Sequence, residues 1–224
     1  MVALLVVLTL IGFVLADGVV QFVQARQRET AASPEKVLEP FSLSGIEVPG
    51  GLFLAPGHTW VALREDGKVR VGIDSLITGL TGKLSGFTLP RSGASMKTGE
   101  GLFSAQFGDR QIRFASPVAG TVTRINQEAA EEPPVISSSP YRHWICEIEP
   151  SSMQQEIGAL RIGKNAVEWL QSELARMRSF LIDSPAPGMA AVPAMPDGGT
   201  LAAGALRHVD SSTVAQFETQ FLKM

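Results

Sequence analysis

Between Gly50 and Pro150 the chain runs in short stretches that alternate apolar and polar residues, broken by tight turns. His58-Thr59-Trp60-Val61-Ala62-Leu63 leads into the turn Glu65-Asp66-Gly67-Lys68, and Val69-Arg70-Val71-Gly72-Ile73 alternates again after it. Phe87-Thr88-Leu89-Pro90 is followed by a turn at Ser92-Gly93. Ile112-Arg113-Phe114 and Thr121-Val122-Thr123-Arg124-Ile125 flank Pro117-Val118-Ala119-Gly120. A period of two, β-branched residues and Asp-Gly turns specify antiparallel strands. Strands this short and closely spaced predict a sandwich or small barrel.

Five segments in this stretch carry a resemblance. They are His58-Thr59-Trp60-Val61, Val71-Gly72-Ile73-Asp74-Ser75-Leu76-Ile77, and the run from Leu89-Pro90 through Gly93 to Gly99. Ser116-Pro117-Val118-Ala119-Gly120 and Pro133-Pro134-Val135-Ile136 through Pro140-Tyr141 to Trp144-Ile145 complete the set. Together they resemble the glycine cleavage H-protein family, whose members carry a lipoyl group. The resemblance implies a mainly β fold with helices, a barrel-sandwich hybrid of the lipoyl-domain type, with a helical extension at its C-terminal end.

The resemblance also implies a place for the cargo, a hairpin-tip lysine eight residues before the proline of Ser-Pro-Val-x-Gly. Here that position holds Asp109, within Gln106-Phe107-Gly108-Asp109-Arg110-Gln111. Gly108-Asp109 suits a two-residue hairpin turn, because glycine accepts a positive φ at the first central position. Phe103, Ala105 and Phe107 alternate before the turn, and Ile112 and Phe114 after it. The hairpin therefore looks retained while its amine is gone. Lipoate is held by an amide to a lysine Nζ, and neither the Asp109 carboxylate nor the Arg110 guanidinium forms that bond. The nearest lysines are Lys97, expected as a solvated turn residue, and Lys164.

Residues 1–26 predict a membrane anchor. Met1 to Ala16 holds no charged side chain, and apolar character resumes after Asp17 as far as Val23. A helix over this stretch spans about 34 Å, enough for the hydrocarbon core. Asp17 costs about 2.5–3.5 kcal/mol at the bilayer centre and less toward the interface. It is read as lying near the headgroups or facing a partner helix. An uncleaved anchor is favoured over a signal peptide, since no basic residue precedes the apolar run and no small-x-small site follows it. Arg26 and Arg28 come next, which places the main domain on the cytoplasmic side.

Residues 27–49, with three prolines, are expected to be a linker, and residues 50–182 the H-protein-like domain with its C-terminal helices. Val167, Leu170, Leu174, Met177 and Leu181 recur at helical spacing, as a stripe that packs on the β core. Residues 183–224 are expected to be a flexible Pro/Gly/Ala-rich tail with one short terminal helix capped near Asp210. Val214, Phe217 and Phe221 share one face of that helix. They are either a partner-docking stripe or a face folded back onto the chain's own domain.

A net charge of −3 provides no basic surface for nucleic acid. The single cysteine, Cys146, excludes an intrachain disulfide and reads as a packed thiol within a strand. His58 and His143 are expected to be structural or surface residues, and Glu128, Glu131 and Glu132 a solvated acidic loop. No phosphate-binding glycine loop, paired metal-ligand motif or catalytic constellation stands out, so neither a cofactor nor a small-molecule substrate is expected. The reading is a non-catalytic, membrane-anchored H-protein-like subunit that docks other subunits of a membrane complex. The alternatives are a lipoyl or acyl carrier, or a periplasmic membrane-fusion-type adaptor.

Overall fold

The alternating runs satisfy their backbone groups by pairing with close neighbours, as antiparallel strands must. We describe residues 41–43, 46–184 and 203–223 in a computed structural model. In chain order the elements are β1 (Phe41–Leu43), β2 (Ile46–Val48), β3 (Leu52–Leu54), β4 (Thr59–Leu63), β5 (Val69–Ile73) and α1 (Ser75–Thr81). Next come β6 (Gly86–Thr88), β7 (Ser95–Met96), β8 (Gly101–Phe107), β9 (Arg110–Ala115) and β10 (Gly120–Ile125). They are followed by α2 (Gln127–Glu131), α3 (Pro134–Ser138), β11 (Cys146–Pro150), α4 (Met153–Glu156), β12 (Arg161–Ile162), α5 (Gly163–Asp183) and α6 (Ser211–Phe217).

A seven-stranded sheet, ordered β12-β3-β4-β5-β11-β10-β7, faces a three-stranded sheet ordered β6-β8-β9. The fold is thus a mainly β sandwich with helices. Alternation sends Val61, Val69, Val71, Val122, Cys146 and Ile148 inward from the large sheet, to meet Phe103, Ala105, Phe107, Ile112 and Phe114 from the small one. On the outer face of the large sheet, Ala166, Val167 and Leu170 of α5 cover Leu52, Leu54 and Trp60.

Two glycines are set by close approach. A Cβ on Gly72 would lie 2.4 Å from the Trp60 ring, which is held by its Nε1 donating to Pro140 O at 2.9 Å. A Cβ on Gly120 would lie 2.2 Å from the Glu149 carbonyl oxygen, which is backbone and cannot swing aside. Gly120→Ala is therefore expected to lose about 2–3 kcal/mol of stability by overpacking. Gly79, exposed inside α1 with open space around it, behaves in the opposite way. Gly79→Ala is expected to gain about 0.5–1 kcal/mol through helix propensity. Urea unfolding of the two variants side by side checks both signs.

Three sequence expectations are corrected. Part of the 27–49 linker is structured: β1 and β2 pair as a hairpin and pack on α5, with Val48 buried. The acidic stretch at Glu128 and Glu131 is the short helix α2 rather than a loop. The tail 183–224 is not flexible throughout, because residues 203–223 fold onto the sandwich and bury Leu206, Val209, Val214, Phe217, Phe221 and Leu222. Among the described residues no helix is long and apolar enough to cross a membrane. The expected anchor at residues 1–26, Asp17 included, lies outside the described residues.

Candidate functional site

β8 and β9 pair from Gly101↔Ala115 to Phe107↔Arg110, which leaves Gly108 and Asp109 as the two loop residues. Gly108 has φ 62°, a value that favours glycine and closes the turn in the hand that matches strand twist. Phe103, Phe107, Ile112 and Phe114 are buried, and the rings of Phe103 and Phe114 stack at 5.1 Å. The strands thus anchor the hairpin in the core and push its tip outward. The Asp109 side chain is 91% exposed, with Arg110 Nε 3.6 Å from its Oδ1. The tip holds a carboxylate and a guanidinium but no amine, so its residues do not fit an amide-linked lipoyl group. Lys97 lies in an exposed turn whose backbone N–H donates to Glu100 Oε2, and Lys164 lies at the start of α5, 3.4 Å from Glu168.

The C-terminal segment is stapled beside this hairpin. Arg110 Nη1 donates to Leu206 O at 2.9 Å, and the Arg113 N–H donates to Glu218 Oε2 at 3.0 Å on the open edge of β9. Gly204 N donates to Gly79 O at 2.8 Å. Arg207 Nε donates to Thr81 O at 2.9 Å, and its Nη2 donates to Lys83 O. Phe217 and Phe221 pack on each other and on Phe180 of α5, with ring centroids 4.9–6.0 Å apart, and Arg176 lies over Phe221.

The docking stripe is corrected accordingly. Val214, Phe217 and Phe221 are 5%, 0% and 2% exposed, so in this fold they cover the chain's own sandwich and are not offered to a partner. The physical reason is that Phe180 and the open edge of β9 leave apolar and polar surface that α6 satisfies. Of the residues singled out in the sequence, the structure unites Phe107, Gly108, Asp109 and Arg110 at one tip. It links Arg110 to the segment that contains Val214, Phe217 and Phe221.

A buried charged group was not expected from the sequence. His58 is fully buried with φ 59°, and its Nδ1 lies 2.7 Å from Asp74 Oδ2. Asp74 Oδ1 accepts from the N–H groups of Leu76 and Ile77 and so caps α1. His58 Nε2 lies 3.8 Å from Glu173 Oε2, and the ring stacks on Trp169 at 4.9 Å. The available signal was Asp74 in N-cap position before Ser75-Leu76-Ile77; nothing in the sequence pointed to Glu173.

Burial works against protonated His58, but the charge and hydrogen bond of Asp74, followed by Glu173, outweigh it and raise its pKa to about 9. The folded pKa exceeds the unfolded value of about 6.5. The contribution is therefore whole below pH 6.5 and is lost as pH rises through 9. About 3 kcal/mol of unfolding free energy is expected to disappear across that window. His58→Gln should abolish the slope, and denaturant titrations of both proteins from pH 6 to 10 check it.

Elsewhere, burial pushes the Cys146 thiol up to about 12, so it is no thiolate near neutral pH. Among the described residues no group of three or more His, Cys, Asp or Glu side chains is placed to hold a metal ion.

Comparison with known proteins places the domain. The profile of the family described as Glycine cleavage H-protein matches residues 53–173. A probable glycine cleavage system H protein of Pyrococcus furiosus is 31% identical over 126 residues, which cover 56% of this chain and 94% of that protein. The glycine cleavage system H protein of Xanthomonas euvesicatoria pv. vesicatoria is 32% identical over 110 residues, covering 49% of this chain and 84% of its own length. The crystal structure of a glycine cleavage system H protein from Mycobacterium marinum aligns with 25% identity and a TM-score of 0.47, over 56% of this chain and 98% of that one. With a profile match across more than half its length and relatives covered almost end to end, the chain belongs to the glycine cleavage H-protein family.

Proposed function

We propose that this chain is a non-catalytic, unlipoylated member of the family, anchored in the cell membrane by residues 1–26. In this reading its β domain stands on the cytoplasmic side and docks other protein subunits of a membrane complex. The observation that supports it most is the hairpin tip. The turn, the buried aromatic flanks and the outward projection are all present, yet the exposed tip residue is Asp109 and no lysine occurs between Lys97 and Lys164. A fold kept without its attachment point is consistent with selection on surface and shape. The uncharged N-terminal stretch and the arginines after it support the anchor and its orientation.

Family membership supports a second reading, a carrier of a lipoyl or other acyl group. That reading needs a nucleophile for attachment, and the hairpin supplies no amine.

The test is affinity purification of the tagged full chain from detergent-solubilised membranes of its own source. Stoichiometric co-purification of the same membrane subunits in replicate preparations is expected. A chain that elutes alone as a monomer would contradict the docking role.

A further inference from the structure

Four side chains of α5 line up at helical spacing: Trp169, Glu173, Arg176 and Phe180. The row runs about 16 Å along the helix. Buried His58 lies at one end and the docked C-terminal segment at the other. His58 stacks on Trp169. Its Nε2, buried without a hydrogen bond to any described residue, faces Glu173 Oε2 at 3.8 Å. The other oxygen of that carboxylate accepts from Arg176 Nη1 at 2.5 Å. The guanidinium carbon of Arg176 then lies 5.2 Å from the centre of the Phe221 ring, which packs on Phe180 and Phe217.

Glu173 is the pivot of this row. Burial works against its charge, yet His58 and Arg176 outweigh it and hold its pKa below the usual value. Arg176 is half-exposed, and it is steadied by Glu173 on one side and Phe221 on the other. Taking the charge off His58 leaves a buried carboxylate with one counter-charge instead of two. Its relief is rotation toward solvent on the side of Arg176, which draws the guanidinium off the Phe221 ring. The other groups around the imidazole do not take over this task. Asp74 faces the opposite nitrogen and is held by the N–H groups of α1. Tyr141 bonds Ser75 Oγ at 3.1 Å, and Arg161 reaches the Trp169 ring at 4.9 Å.

We propose that protonated His58 is a latch for the C-terminal segment. Through Glu173 and Arg176 it holds Phe217 to Leu222 against the sandwich, and loss of its proton loosens them while the β core stays folded.

The test places a spin label on Q220C in the full chain in non-ionic detergent. Gln220 is exposed, whereas Cys146 is buried with its thiol pushed up to about 12, so the label reports the segment alone. Electron paramagnetic resonance follows its mobility from pH 6 to 10, and far-UV circular dichroism follows the fold. His58 is charged below about 9 and neutral above it, so mobility should rise through that value. The mobile fraction is expected to grow about threefold before the circular dichroism changes. H58Q should show the raised mobility at every pH, with no inflection. R176Q, altered at a half-exposed position, should do the same with His58 intact. The double variant should be no more mobile than either, because both cut one path. A label that stays immobile until the whole fold melts would overturn the latch, as would additive effects of H58Q and R176Q. So would a segment that tightens as pH rises, since the two cations would then be competing for the carboxylate.

Discussion

Asp109→Lys is expected to give the hairpin tip an amine that accepts a lipoyl group. When each protein is co-expressed with a lipoate ligase, wild type should stay unmodified and the variant should gain the mass of one lipoyl amide in most molecules. The expectation rests on what surrounds position 109. The register of β8 and β9 leaves a two-residue turn, Gly108 holds the positive φ, and the side chain at 109 projects into solvent. A lysine there needs no rearrangement of the core, since Phe107 and Ile112 already anchor the strands. Failure of the variant to be modified would mean that more than the amine has diverged. The staple from Arg110 to Leu206 would be the first contact to remove.

The second large effect is on stability. Phe217→Ala is expected to cost about 3–5 kcal/mol, the range for deleting a buried aromatic ring. Phe217 is fully buried between Phe180 and Phe221. The loss should also spread. With α6 released, Glu218 leaves the Arg113 N–H and Leu206 leaves Arg110, so amide exchange along β9 should accelerate. Ala215→Ser, on the exposed side of α6, is the control and should be nearly neutral. If Phe217 instead served a partner, its removal would leave the isolated chain as stable as before.

That contrast also marks the limit of what the sequence could say. The strands were legible, since alternation at Thr59–Leu63, Val69–Ile73 and Thr121–Ile125 reports which face is covered. The turn at Gly108-Asp109 was legible because φ > 0 restricts the residue type. The stripe Val214, Phe217, Phe221 was legible as an apolar face, but periodicity cannot identify the surface that covers it. Phe180, its partner, lies across a Pro-rich stretch that carries no pairing signal.

The charged features were hidden for the same reason. His58, Asp74 and Glu173 come from three separate stretches of the chain, as do Arg70, Arg124 and Trp144, and only the tertiary fold brings them together. The helix α1 was missed because Ser75-Leu76-Ile77-Thr78 has strand-like composition. The Asp74 cap and the packing of Ile77 and Leu80 override that propensity. The β1–β2 hairpin was missed because strands of three residues are too short to show a period.

The central claim is that this chain keeps a carrier fold without carrying cargo. Intact-mass measurement of the full chain purified from its own source tests it most directly. The account predicts the mass of the unmodified sequence, with the β8–β9 peptide unaltered on fragmentation. A lipoyl or acyl increment that maps to the hairpin would contradict it.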